Sequence, residues 1–276
     1  MKKARVLFVS QEITPYLDET HIGKIARRLP QAIQEKGKEI RTFMPKYGNI
    51  NERRHQLHEV IRLSGMNIVI NNADHPLIIK VASIPTARMQ VYFIDNEDYF
   101  QRKAILNDKA TGKAFDDNDE RTVFFNRGVI ETVKKLGWAP DVIHCHGWFT
   151  GLMPLYIKKA FAEDPLFAET KVIFTIYDEE FTKALNKKIV DKAMIDGVTK
   201  KDLKHIEDAT YINLMKLAID HCDGIAYGSE KINEDLIKYA KKSGKPILEF
   251  KGEAEYADAY NEFYDMVLEN AEMLAD

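Results

Sequence analysis

Residues 5–48 constrain this chain more than any other stretch, because they read as strand, loop, helix and strand in one unbroken unit. Residues 5–9, RVLFV, make the short apolar run of a strand buried on both faces. Ile22, Ile25, Ala26, Leu29 and Ile33 recur at helical spacing, and Gly37 stands where a C-cap would stop the helix. Residues 39–44 read as the second strand. Such a unit points the loop after its first strand, here residues 10–21, at the crevice where open α/β sheets bind ligands. The first amides of the following helix face into the same crevice.

Further runs rich in β-branched residues follow at 59–63, 66–70 and 77–83, and 91–94 completes the set. Ser64-Gly65 and the polar turn 71–74 before Pro76 separate them. No helix lies between, so an antiparallel excursion is expected here. Residues 98–114 read as loop and 119–136 as helix. Strands at 142–145, 171–176, 224–227 and 246–250 then alternate with helices at 148–159, 183–195, 199–206, 211–221, 234–242 and 253–274. This alternation predicts an α/β fold, a Rossmann-like, doubly wound, mostly parallel sheet. Residues 4–252 read as one domain and 253–276 as a helix docked on it. Tyr256, Tyr260, Phe263, Val267 and Leu268 share one face of that helix and would cover the sheet.

Composition narrows the partners. With 40 basic and 43 acidic residues and a formal charge of -3, neither a nucleic-acid nor a membrane surface is expected. The lysine pairs at 158–159, 187–188 and 241–242 are scattered among acids, unlike a nucleic-acid footprint. Two cysteines, Cys145 and Cys222, form no metal-binding spacing and favour a reducing cytoplasm. The opening MKKARVLFVS resembles the start of a signal peptide, but its apolar run is short and Gln11 and Glu12 follow at once. No stretch is long enough to span a bilayer.

Candidate chemistry is sparse. His144 and His146 lie at the carboxyl end of a predicted strand and share one of its faces, so they could converge on a ligand. A zinc site would need at least one further ligand, which the sequence does not indicate. Trp148 follows as either a packing residue or a sugar platform. Gly23-Lys24 opens the first helix, but neither GxGxxG nor GxxxxGK[ST] is present, and no GxSxG appears. The acidic runs 116–120 and 178–180 read as solvated faces or helix N-termini. No cofactor or metal is expected. Side-chain chemistry alone stops at an α/β ligand-binding domain.

Several blocks in fixed order carry a resemblance. Residues 6–48 with Glu12, Pro15, Leu29-Pro30, Pro45 and Tyr47-Gly48 form the first, and residues 91–95 with Asn96, Phe100 and Arg102 the second. Glu120-Arg121 with Phe124-Phe125 comes next, before the run 140–154 with His144, His146, Trp148, Gly151 and Pro154. Residues 174–176 and the helix carrying Asn213 and Lys216 complete the series. Together they resemble the N-terminal half of bacterial glycogen synthases and plant starch synthases. The resemblance implies one half of a GT-B fold, whose two facing Rossmann-like domains pass glucose from ADP-glucose to an α-1,4-glucan.

Departures from that pattern matter as much. The family's first loop reads Lys-Thr-Gly-Gly-Leu-x-Asp-Val and holds the donor's phosphates; the matching positions here begin Asp18, Glu19, Thr20, His21. A lysine facing a diphosphate has become Asp18, and two glycines have gained side chains. The aspartate before the family's Trp is Gly147, the glutamine after it is Phe149, and the "TIHN" histidine and asparagine are Tyr177 and Asp178. His146 stays beside Trp148, and Lys216 survives. After Ser229 only a helix, a strand and the terminal helix are read, so the nucleotide-sugar domain is expected to be absent. The resemblance therefore implies substrate contacts at Asp18, Thr20, His21, His146, Trp148, Tyr177 and Lys216, with His146 the remnant of catalytic machinery. The function expected is a catalytically degenerate module that binds α-glucan or regulates a full-length glycogen synthase. The alternative is half of an ADP-glucose-dependent transferase completed by a partner chain.

Overall fold

The computed structural model describes residues 3–272. Ten strands run in chain order: β1 (Arg5–Ser10), β2 (Glu39–Pro45), β3 (His58–Glu59), β4 (Met66–Ile70), β5 (Ala73–Ile84), β6 (Met89–Asp95), β7 (Val142–His146), β8 (Lys171–Ile176), β9 (Gly224–Tyr227) and β10 (Ile247–Leu248). Five longer helices accompany them: α1 (His21–Glu35), α2 (Asn118–Leu136), α3 (Tyr211–His221), α4 (Glu234–Lys242) and α5 (Tyr256–Glu272). The strand order is β10-β9-β8-β7-β1-β2-β6-β5-β3, with β4 paired to β5 off this path. From β10 to β6 every pairing is parallel. The expected antiparallel excursion is β5, which runs against β6, β3 and β4.

Alternation along β1 divides the core. Val6 and Phe8 join Leu29 and Ile33 of α1, Val142, Ile173, Ala226 and the apolar face of α5. Leu7 and Val9 face the opposite layer, where Val123, Phe124, Val129 and Val133 of α2 and Leu214, Met215 and Leu217 of α3 pack. Tyr260, Phe263, Tyr264 and Val267 of α5 are all buried on the sheet. Burial of such side chains stabilises the docked helix by about 1.5–3 kcal/mol each, before ordering costs. The expected continuation of this helix to Leu274 lies outside the described residues.

Several local expectations fail for identifiable reasons. The run 59–63 extends only as the two-residue β3, because Val60–Leu63 turns, with the Leu63 N–H on the Val60 carbonyl. Residues 148–159 break into a 3-10 turn (Trp148–Thr150), a short helical turn (Met153–Leu155) and a π-turn (Tyr156–Ala160) around Gly151 and Pro154. Of the helix expected over 183–195, only Ile189–Ala193 forms, since the Leu185 amide is drawn to the Ala209 carbonyl. Thr199 binds Asp202 in a tight turn, and only Lys204–Glu207 coils as 3-10 helix beyond it. The strand at 246–250 shortens to β10. Asp119, expected on a solvated helix start, is buried against the Lys192 ammonium at 2.7 Å.

The α5 layer carries its own polar bond. Tyr264 Oη lies 2.6 Å from Nδ1 of the fully buried His144. Replacing Tyr264 with Phe strips that nitrogen of its partner, and the expected cost is about 1–3 kcal/mol. Urea unfolding followed by circular dichroism checks this; an unchanged midpoint would show that the hydroxyl contributes nothing to folding.

Candidate functional site

Strand order reverses at β1: β2 lies on one side, β7 on the other, and the chain winds outward from each. Open α/β sheets place ligands beyond the carboxyl ends of their strands at such a reversal. A cleft of about 420 Å³ lies there, lined by Gln11, Glu12, Thr20, His21 and Ile22 from the β1–α1 segment and by Trp148 after β7. Tyr177, Asp178, Glu179, Glu180, Phe181 and Lys183 after β8 line it too, with Asn118 at the start of α2 and Ser229 after β9.

Three of its loops are tied together by one glutamine and one glutamate. Gln11 Nε2 donates to Glu179 Oε2 at 2.7 Å, and the Phe149 N–H donates to Gln11 Oε1 at 3.2 Å. Glu179 Oε1 accepts the Trp148 N–H at 2.6 Å. Burial pushes the Glu179 carboxyl up to about 8, against the opposing pull of the Trp148 amide and Gln11, and nearby Glu12 adds to the rise. Gly147 makes the clasp possible. Its φ is +87, and a Cβ there would sit 2.4 Å from Gln11 Oε1.

The start of α1 is closed by the chain's own groups. Thr20 Oγ1 accepts the Gly23 N–H at 3.0 Å and donates to Glu12 Oε2 at 2.6 Å. His21 reaches across the cleft, its Nε2 2.6 Å from the Gly228 carbonyl oxygen after β9. A helix N-terminus is a natural seat for an anion. Here its first amides meet a threonine cap backed by a carboxylate.

Of the residues expected to contact substrate, Thr20, His21, Trp148 and Tyr177 line the cleft together. His146 lies behind it, fully buried, with Nδ1 2.7 Å from Tyr177 Oη and no partner at Nε2 among the described residues. Burial drives its pKa down to about 3, so the ring is neutral. His144 and His146 do converge, with ring centroids 3.9 Å apart, but His144 is held by Tyr264 and by Thr175 Oγ1 at 2.6 Å. Asp18 and Lys216 do not line the cleft. Asp18 is exposed on the turn before α1, and the Lys216 ammonium sits over the Tyr239 ring of α4. Residues the sequence reading passed over are Gln11, Glu179 as an enclosed acid, and Phe181. Their one available signal was position, directly after β1 and β8. Among the described residues no group of three or more His, Cys, Asp or Glu could hold a metal ion, and no helix is long and apolar enough to cross a membrane.

Comparison with known proteins agrees with this geometry. The family described as the starch synthase catalytic domain matches residues 5–248, so the chain belongs to that family. Among curated relatives, glycogen synthase of Chlorobium limicola is 33% identical over 233 residues, 84% of this chain and 47% of that protein. Glycogen synthase of Chlorobaculum tepidum is 34% identical over 242 residues, again covering 84% of this chain and 47% of the relative. The chain thus spans about half the length of the curated relatives it matches. The catalytic domain of starch synthase IV from Arabidopsis thaliana, bound to ADP and acarbose, superposes with a TM-score of 0.75 at 18% identity, covering 90% of this chain and 51% of that one. The sheet is that of one half of a GT-B glycosyltransferase.

The raised Glu179 carboxyl has a signed consequence. In the unfolded chain it ionises near its ordinary value of 4.5, in the folded protein near 8, so the folded state holds more protons across that window. Its contribution to stability is therefore full below the ordinary value and is lost as pH rises towards 8, at no more than about 1.4 kcal/mol per pH unit. Urea midpoints at pH 5 and pH 8 should fall less in Glu179→Gln than in the parent. Equal pH dependence in both would show that Glu179 ionises as an ordinary surface acid.

Proposed function

We propose that this chain is a glycogen synthase-like module that binds α-glucan and does not itself transfer glucose from ADP-glucose. One observation carries the reading: Glu12 holds Thr20, which caps α1 where relatives would admit a phosphate. A diphosphate seeking those amides must displace the cap and then face a carboxylate.

The rest of the cleft supports the same reading. Glu12, Asp178 and Glu180 line it with Glu179, whose raised pKa keeps it largely protonated near neutrality, and its lysine, Lys183, pairs with the exposed Asp116 at 2.6 Å. A charge pair at contact is worth about 4 kcal/mol at an effective dielectric near 20. A carboxylate at contact with an anionic donor opposes it by a like amount, and stabilisation of developing charge is usually the largest catalytic contribution. Of the two ligands that accompany the Arabidopsis catalytic domain, ADP is the one this cleft opposes. Neutral sugar hydroxyls suit carboxylate acceptors, and Trp148, Tyr177 and Phe181 supply aromatic surface. Asp18, exposed on the loop, adds negative charge at the approach. Lys216, stacked on Tyr239, is engaged elsewhere. We read residues 4–252 with the docked terminal helix as one functional body, whose protein partner would be a full-length glycogen synthase. Two free, buried cysteines suit a reducing, cytoplasmic setting.

Calorimetric titration with maltoheptaose and with ADP-glucose tests the reading. Saturable glucan binding is expected, with no heat from ADP-glucose and no incorporation of glucose into a glycogen primer. Phe181→Ala should weaken glucan binding about tenfold, the worth of one aromatic contact. Addition of a full-length synthase probes the alternative, in which a partner chain completes donor binding: primer extension above the synthase's own rate would favour it. ADP-glucose binding by the isolated chain would overturn the proposal.

A further inference from the structure

The opposite edge of the sheet has a second cavity, of about 410 Å³, with a different electrostatic character. Its polar lining is Gln34, Arg41, Ser83, Arg88 and Gln90, backed by apolar groups that include Ile84, Met89 and Tyr92. No carboxylate lines it. It opens where β2 and β6 begin and β5 ends, so the sheet separates it from the cleft at the carboxyl edge.

Its two arginines are presented in different ways. Arg41 is half-buried and fixed: Nη1 donates to Tyr92 Oη at 2.6 Å, and the guanidinium lies over the Trp138 ring at 5.2 Å and the Tyr92 ring at 5.7 Å. Arg88 is exposed and sits at φ +51 after the Pro85–Ala87 turn, its N–H on the Pro85 carbonyl. A non-glycine residue in that backbone region is strained, and such strain persists where its surroundings impose it. Neither arginine forms an ion pair among the described residues. A third, Arg27, borders the site, donating to Thr86 Oγ1 at 3.2 Å and to Gln31, which in turn reaches Glu35. The carboxyl end of α1, near Gln34, contributes about half a negative charge, which the two lining guanidiniums outweigh.

We infer that this cavity binds a small phosphate or phosphomonoester anion, its phosphoryl group between Arg41 and Arg88 and any organic body against Ile84, Met89 and Tyr92. Two guanidiniums free of carboxylates match phosphoryl oxygens through forked N–H donors, which a lysine pair would not do as well. Stacking holds Arg41 in place, so less of its freedom is lost on binding. This site is independent of the glucan cleft, and its failure would leave that reading intact.

The purified chain, titrated with inorganic phosphate and separately with glucose 6-phosphate, tests the inference by calorimetry and by thermal melting. Saturable one-to-one binding of at least one probe is expected, with a raised melting temperature. Tighter binding of the hexose phosphate would assign the apolar wall to the organic body, and equal binding would assign recognition to the phosphoryl group alone. Arg88→Gln, at an exposed side chain with no bonded partner, should weaken binding tenfold or more, as should Arg41→Gln, while the exposed Lys241→Gln should bind as the parent does. Absence of saturable binding by either probe at millimolar concentration would overturn the site, as would unchanged affinity in Arg88→Gln.

Discussion

The reversal of strand order at β1 is the constraint on which the molecule depends. Because β2 and β7 leave β1 in opposite directions, the segments after β1 and β7 splay apart and leave a crevice between them. Gln11, the first residue after β1, reaches towards the β7 and β8 side, its amide oxygen accepting from the Phe149 N–H and its amide nitrogen donating to Glu179. The floor beneath is a set of neutral, buried rings in which His144 pairs with Tyr264 and His146 with Tyr177. Burial keeps both histidines uncharged, so the floor gives up no proton near neutrality.

Charge is distributed unevenly over this frame. Acidic side chains line the cleft at the carboxyl edge and guanidiniums the cavity at the amino edge, although the chain as a whole carries only -3. A near-balanced total therefore conceals two cavities of opposite lining, one acidic and one basic. The sheet between them is flanked on both faces by buried apolar side chains.

The parallel strands were legible because burial on both faces writes itself as a continuous apolar run, as at residues 6–9 of β1 and 172–174 of β8. The long helices were legible from their periodicity. What failed were segments whose apolar residues are tied down by distant partners. Residues 183–195 read as helix, yet the Leu185 amide is claimed by Ala209 and only the turn Ile189–Ala193 forms. Thr20, His21, Trp148 and Tyr177, implied as substrate contacts by the family resemblance, stand on loops after β1, β7 and β8, and all four line the cleft. Glu179 was not anticipated, since a run of three acids looks solvated until Trp148 and Gln11 fold over its middle member. Lys216 matches the family pattern and Asp18 replaces its loop lysine, yet neither lines the cleft, because orientation depends on packing that spacing does not encode.

The positive φ of Gly147 beneath Gln11 couples two positions far apart in the chain. A side chain at 147 would need the backbone to rotate and the Gln11 amide to withdraw, and withdrawal would strand the Phe149 amide and one oxygen of Glu179. What residue 147 can be is therefore set by what residue 11 holds, although the two stand 136 positions apart.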